Sequence, residues 1–237
     1  MPASWQYTTL HSEPEHERIP YGLLLSFFQE DGMDRKQHWE EVYSSKPADS
    51  VSWFQEYADR SLAIIRHLRR DLTTRIIDVG GGASTLVDGL LDAGYSDLSV
   101  LDLSGAALAV AQKRLGERAQ GVDWIEADIT RFEPPTQRFD LWHDRAVFHF
   151  LTTEDERASY KDVLRHSLHR GSHVVIATFA EDGPERCSGL PVVRYSVEAL
   201  RAELGPCFKL VGHEKELHRT PWGSEQSFLY AWFRIVR

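Results

Sequence analysis

Cysteine is scarce in this chain: Cys187 and Cys207 are the two among 237 residues. Two cysteines cannot build a disulfide framework, which points to a reducing compartment. Long apolar runs are scarce too. The longest near the start, YGLLLSFF, is too short to span a bilayer. The HSEPEHER before it is acidic, unlike the basic flank of a signal or transit peptide. Positive charge is in deficit: 27 Lys and Arg face 36 Asp and Glu, a formal net charge of −9. That argues against bulk nucleic-acid binding, which depends on cationic neutralisation of phosphates. The eleven histidines are scattered without metal-ligand spacing, so no metal is expected. Internal repeats and low-complexity tracts are missing. These deficits lead to the expectation of a soluble, cytoplasmic protein without membrane, metal or nucleic-acid partners. Oligomeric state stays open, because GLLLSFF could cover either a partner subunit or a site on its own chain.

What is present is enough for a large core: 42% of residues are apolar and 27% charged. Residues 1–32 lack a sustained period and read as an extension or a lid. Residues 33–237 read as one domain. Helical patterns occupy Arg35–Tyr43 and Trp53–Arg69. Strand and helix then alternate: TRIIDV, STLVDGLLDAG, LSVLDLS, GAALAVAQKRLGERA, VDWIEADI, RFDLWHDR, DERASYKDVLRHSL and, after a turn HRGS, HVVIATFA. This order predicts parallel βαβ units with helices on both faces, a doubly wound α/β fold. Beyond Ala180 a loop, EDGPERCSGLPVVRY, leads to the helix SVEALRAELG. The strands FKLVGHEKEL and QSFLYAWFRIV then read as an antiparallel pair appended to the sheet.

The stretch RIIDVGGGASTLVDGLLDAGYSDLSVLDLS carries the most chemical information. Its first strand ends at Asp78-Val79, and Gly80, Gly81 and Gly82 come next. Glycine lacks Cβ, so other atoms can approach its backbone closely, and a helix opening at Ala83–Ser84 would offer unpaired N–H groups. Asp78 would complement a cationic ligand group. Asp102 ends the next strand, 22 residues after Gly80, where a carboxylate can accept from both hydroxyls of a ribose. Asp128 ends the third strand and could accept from an adenine amino group. The loop departs from the Gly-x-Gly-x-x-Gly dinucleotide fingerprint.

IIDVGGGAS, VLDLS, EADI, FDLWHDRAVFHFL and LHRGSHVVIATF resemble, in order and spacing, the motifs of class I S-adenosylmethionine-dependent methyltransferases from about Arg75 to Ala180. Ser84 stands where that family often has a last glycine. HWEEVYSSKPADSVSWFQ is similar to a segment of two subgroups: the thiopurine and tellurite small-molecule methyltransferases, and the lysine methyltransferases acting on elongation factor. The resemblance implies a mostly parallel seven-stranded sheet with a C-terminal antiparallel pair, and S-adenosylmethionine as cofactor. It also implies a cofactor site made by Trp39, Tyr43, Trp53, Asp78, Gly80, Gly81, Gly82, Asp102, Leu103, Asp128, Ile129 and Asp144. Aromatic faces of the Trp-Tyr-Trp segment suit a sulfonium cation.

Methyl transfer from a sulfonium is an in-line displacement in which the protein mainly holds donor and nucleophile together. A base is needed only for an acceptor that arrives protonated. Asp144, Arg145 and His149 come at or just after the end of the fourth strand and are the expected catalytic residues. Arg194, Tyr195 and Trp222 are the expected acceptor contacts. The expected reaction is methylation of a small nucleophile, a thiol or related chalcogen first. Lysine methylation of a protein and cofactor binding without turnover are the alternatives.

Overall fold

The computed structural model describes residues 35–236. The segment 1–32, expected as an extension or lid, lies outside the described residues. The elements in chain order are α1 (Arg35–Ser45), α2 (Asp59–Leu68), β1 (Arg75–Val79), α3 (Leu86–Asp92), β2 (Asp97–Asp102), α4 (Gly105–Leu115), β3 (Val122–Glu126), β4 (Phe139–Arg145), α5 (Glu154–Ser167), β5 (Leu168–Phe179), β6 (Arg186–Cys187), β7 (Leu190–Pro191), α6 (Val197–Leu204), β8 (Phe208–Arg219) and β9 (Glu225–Ile235). Seven strands form one sheet in the order β3-β2-β1-β4-β5-β9-β8. Strands β3 to β5 are parallel, and β9 and β8 close the far side as an antiparallel pair. A separate ribbon pairs β6 with β7. Among the described residues, no helix is long and apolar enough to cross a membrane.

Strand order reverses direction between β1 and β4. Strands β2 and β3 step one way from there and β5 the other, so the crevice at their carboxyl ends is the place where such sheets bind ligands. The central strands are buried on both faces, which explains why IIDV and HVVIATF are nearly continuous apolar runs rather than alternating ones. One core cluster unites Trp142, Phe148, Tyr160, Leu200 and Phe233; a second, on the other face, unites Ile65, Leu86, Leu98 and Leu141. Local signals agree with the ends of several helices. Thr153 and Glu156 form a reciprocal capping box at the start of α5. Gly94, just past α3, has φ +91°, which a residue with Cβ adopts at a cost.

Four local expectations are corrected. Helix α2 starts at Asp59, not near Trp53, because the carbonyls of Ser52 and Trp53 are taken by His218 and Arg145 instead of a helical ladder. Helix α3 starts at Leu86, because Gly81–Ser84 form a turn closed by Ser84 N–H to the Gly81 carbonyl. The HRGS turn lies inside β5 as an irregularity: pairing jumps from Phe139–Leu168 to Leu141–His173 around Gly171 at φ +93°. The loop after β5 contains the β6–β7 ribbon.

Candidate functional site

A cavity of about 640 Å³ opens at the carboxyl ends of β1, β2 and β4. Its floor is Val79, Gly80, Leu101, Asp102 and Leu103, and its side is Asp128, Ile129 and Thr130. Trp39, Tyr43, Trp53 and Phe150 make an aromatic wall across from them. The Trp39 ring stands edge-on to Trp53 at 5.5 Å and to Phe150 at 5.3 Å. The Trp53 indole N–H donates to the Tyr43 hydroxyl at 3.1 Å, so ring edges and faces are fixed relative to each other.

The glycine turn works differently from the sequence expectation. The Gly80 and Gly81 N–H groups both donate to the Leu101 carbonyl, at 2.7 and 3.2 Å, so they are not open donors. What the missing Cβ atoms admit are the chain's own side chains. A Cβ at Gly81 would lie 2.5 Å from Asp78 Oδ2, and one at Gly82 would lie 2.5 Å from Asp102 Oδ2. Gly80 has φ +70°, and a Cβ there would meet Val147 Cγ2 at 2.1 Å. The turn therefore lets the Asp78 and Asp102 carboxylates pack closely against its backbone.

Asp102 is buried and accepts from Ser104 N–H at 2.9 Å. Burial is the main cause that pushes its carboxyl up to about 7, with Asp78 adding to the rise and the Ser104, Gly82 and Leu103 amides opposing it. Asp128 lines the cavity while its Oδ1 holds a turn, accepting from Thr130 N–H at 2.9 Å and Thr130 Oγ1 at 2.7 Å. Asp78 lines a smaller adjoining cavity rather than the large one, together with Gly80, Gly81, His143 and Arg145.

Asp144 is corrected as both a cofactor and a catalytic residue. Its side chain turns into the core and lines neither cavity. It accepts from the N–H groups of Val147, at 3.0 Å, and Phe148, at 3.1 Å, and from the Tyr160 hydroxyl at 2.7 Å. It fastens the bend after β4, where Ala146 sits at φ +68°. Burial raises its carboxyl to about 6 against those hydrogen bonds. His149 is also corrected. It is fully buried, its Nδ1 accepts from Phe179 N–H at 3.3 Å, and its ring packs on Phe150 and Phe179. Burial, then Arg145, depress it to about 3, which leaves it too weak a base for proton removal near neutral pH. Arg145 does line both cavities.

The three expected acceptor contacts do not reach the cavity. Arg194 folds onto its own loop, donating to the Gly183 carbonyl and to Glu185. Tyr195 is buried against Phe148 in the core. Trp222 is 62% exposed, in the turn between β8 and β9. Cys187 lines the cavity instead, with burial pushing its thiol up to about 12.

Sequence reading missed the residues that bring α1 to the cavity. Glu40 accepts from the N–H of Gly105 at 2.6 Å and Ala106 at 3.3 Å, a carboxylate on the N-terminus of α4. Arg35 pairs with Glu156 at 2.6 Å and donates to the Phe150 carbonyl at 3.1 Å. His38 meets Ser188, in the ribbon turn, at 3.1 Å. No local signal marks these residues, because their partners lie far along the chain.

A family model described as a methyltransferase domain matches residues 76–171. The mouse eEF1A lysine and N-terminal methyltransferase is 22% identical over 128 residues, 54% of this chain and 18% of that protein. The chain spans less than a quarter of the length of the curated relatives it matches. Among solved structures, the N-methyltransferase NodS from Bradyrhizobium japonicum WM9, in complex with S-adenosyl-L-homocysteine, superposes with a TM-score of 0.63 at 17% identity, covering 86% of this chain and all 100% of that one. The structure reported for conversion of a disulfide bond into a thioacetal group during echinomycin biosynthesis superposes with a TM-score of 0.67 at 18% identity, covering 85% and 92%. Residues 76–171 are thus similar to a methyltransferase domain, and the chain shares its fold with NodS.

Proposed function

We propose that this chain transfers a methyl group from S-adenosylmethionine to a small nucleophile, with a thiol or related chalcogen as the leading acceptor. The observation that carries the donor assignment is the cavity itself. A buried carboxylate, Asp102, lies on its floor beside the glycine turn, and four aromatic rings stand opposite. In this reading Asp102 accepts from the ribose hydroxyls, Asp128 and Ile129 flank the adenine, and the aromatic wall faces the sulfonium. The bound cofactor supplies an activated methyl group; the chain orients it and excludes water.

The acceptor reading rests on the groups at the aromatic end. Tyr43 and Cys187 are both held in their protonated forms by burial, and Arg145 is a cation. None of the three takes a proton near neutral pH. An acceptor that ionises readily fits such a wall: a thiol at about 8.5 does so more easily than a lysine amine at about 10.4. Lysine methylation is the second reading, favoured by the similarity to the eEF1A methyltransferase over 54% of this chain. S-Adenosylhomocysteine release separates the two. Purified protein is assayed with a panel of small thiols and, in parallel, with a dialysed lysate. Turnover with thiols supports the first reading; turnover only with lysate, together with label on a protein band, replaces it with the second.

A further inference from the structure

Strand β9 runs between β5 and β8, and near its carboxyl end three basic residues stand abreast. His173 of β5 pairs with Arg234 of β9, and Arg234 pairs with Lys209 of β8. Directly paired residues of adjacent strands project from the same face, so the three form one row across the sheet. Adjacent strands are about 4.8 Å apart, which makes the row roughly 10 Å long. Arg69, just after α2, closes its inner end. Its Nη2 donates to the Asp140 carbonyl at 3.0 Å and to the Gly171 carbonyl at 2.8 Å. Arg234 Nη2 comes within 3.7 Å of where a Cβ on Gly171 would sit, so both guanidinium groups meet at Gly171. The row lies at the amino ends of β5 and β8, the opposite end of the sheet from the large cavity.

No carboxylate is bonded to any of the four. Among the described residues, Arg234 and Lys209 make no hydrogen bond or ion pair. The nearby acids are engaged elsewhere: Asp140 by Arg75 and His169, and Glu214 and Glu216, farther along the same face, by Arg60. Like charges directly opposite each other destabilise a sheet, and Arg234 faces Lys209 in that way. Arg69 Nε and His173 Nδ1 are buried and also lack a partner among the described residues. Such atoms are few in native proteins, and each asks for an explanation. Burial, then Arg69 and Arg234, depress His173 to about 4, so its neutral ring offers an N–H while Arg69, Arg234 and Lys209 supply the charge. Trp232 comes next on this face, its ring over Gly212, where a Cβ would lie 2.5 Å from Cζ2.

We propose that this row is a binding site for a diphosphate group, with Arg234 and Lys209 as its direct ligands and Arg69 and His173 as its inner end. Three cations spread over such a length exceed what one carboxylate can bridge. Linked phosphates present charged oxygens to an arginine fork and a lysine together. The group is either free diphosphate or the diphosphate of a nucleotide, whose base would add stacking on Trp232. The site is separate from the methyl-transfer cavity and does not depend on the donor or the acceptor assigned there.

Calorimetry of the full chain with inorganic diphosphate, at a fixed ionic strength of about 0.1 M, tests the site. Saturable binding with a Kd below about 1 mM is expected. Arg234→Gln should weaken it about tenfold and Lys209→Gln about threefold. Both side chains are exposed, so both variants should fold. Without ligand they should melt at or above the full chain's temperature, since a like-charge contact is relieved. Diphosphate should raise the melting temperature of the full chain more than that of either variant. ADP is the second arm, and the part of its binding that Arg234→Gln removes belongs to the row. If that part is tighter than diphosphate binding, the site takes a nucleotide; otherwise it takes the free group. Binding of diphosphate that both variants keep undiminished overturns the proposal. So does the lack of saturable binding up to about 10 mM, and higher-melting variants would then mark the row as a repulsive surface only. Because no readout uses the methyl donor, failure here leaves the proposed transfer reaction standing.

Discussion

The carboxyl ends of β2 and β4 each carry a buried aspartate, Asp102 and Asp144, at the rim where this kind of sheet binds ligands. Both are raised by burial, to about 7 and about 6. Yet Asp102 forms cavity floor and Asp144 forms core. The difference lies in the turn that leaves each strand. After Asp102 the chain enters α4, and the Ser104 side chain, not Asp102, caps that helix by accepting from Ala107 N–H at 3.1 Å. After Asp144 the chain bends back through Ala146 at φ +68°, and the bend leaves N–H groups that Asp144 satisfies. A strand-end acid is free for a ligand when the next turn is closed by another residue.

Substitutions should separate the two acids. Asp102→Ala is expected to weaken S-adenosylhomocysteine about a hundredfold, since two charge-assisted hydrogen bonds are lost. Its thermal stability without ligand should fall by less than that of Asp144→Ala, because loss of the Ser104 hydrogen bond is offset by removal of a costly buried carboxyl. An unchanged calorimetric affinity would remove Asp102 from the site. Asp144→Ala is expected to do the reverse. It strands two N–H groups and the Tyr160 hydroxyl, costing about 3 kcal/mol in urea unfolding, while the affinity of the folded fraction stays within about threefold. A large affinity loss with full stability would return Asp144 to the site.

The pH dependence sharpens the same contrast. Both folded pKa values lie above the unfolded value of about 4, so the folded state binds more protons than the unfolded chain between there and neutrality. Stability of the ligand-free protein from these two groups is therefore lost as pH rises from about 4 through 6 to 7. On the proposed reading donor affinity should move the opposite way, because Asp102 would accept from both ribose hydroxyls only when ionised. It should fall on the order of tenfold from pH 8 to 5.5, and Asp102→Asn should flatten that profile. A steep profile in the Asn variant would assign the titration elsewhere. The smallest effect is expected at Trp222, which lies off the cavity: Trp222→Ala should leave thiol turnover within about twofold. A large loss of turnover only on a protein substrate would mark Trp222 as a docking contact.

Much of the cavity floor was legible because its parts are local. The first strand–helix–strand unit, the glycine turn and Asp102 all fall within Arg75–Ser104, where β1 pairs directly with β2. The opposite wall was legible only as a segment. Trp39, Tyr43 and Trp53 do stand on the cavity, but what holds them there is Glu40 on the N-terminus of α4 and Arg35 on Glu156. The expected acceptor contacts failed for the same reason. Arg194 and Tyr195 lie in a loop whose path is set by the β6–β7 ribbon and by the Tyr195 N–H bond to Phe179.

Hydrophobic period and glycine placement are written in short windows, so the order of strands and helices, the glycine turn and Asp102 at the cavity were legible in the sequence. Tertiary structure alone decided which way the side chains at those positions point. Asp144 turned inward to satisfy a bend, His149 was desolvated between Phe150 and Phe179, and His143 was drawn onto Asp78. Each outcome depends on packing that brings distant parts of the chain together, with the hydrogen-bonded Arg145 and Tyr230 lying 85 residues apart, and a buried polar atom goes where its hydrogen bond is.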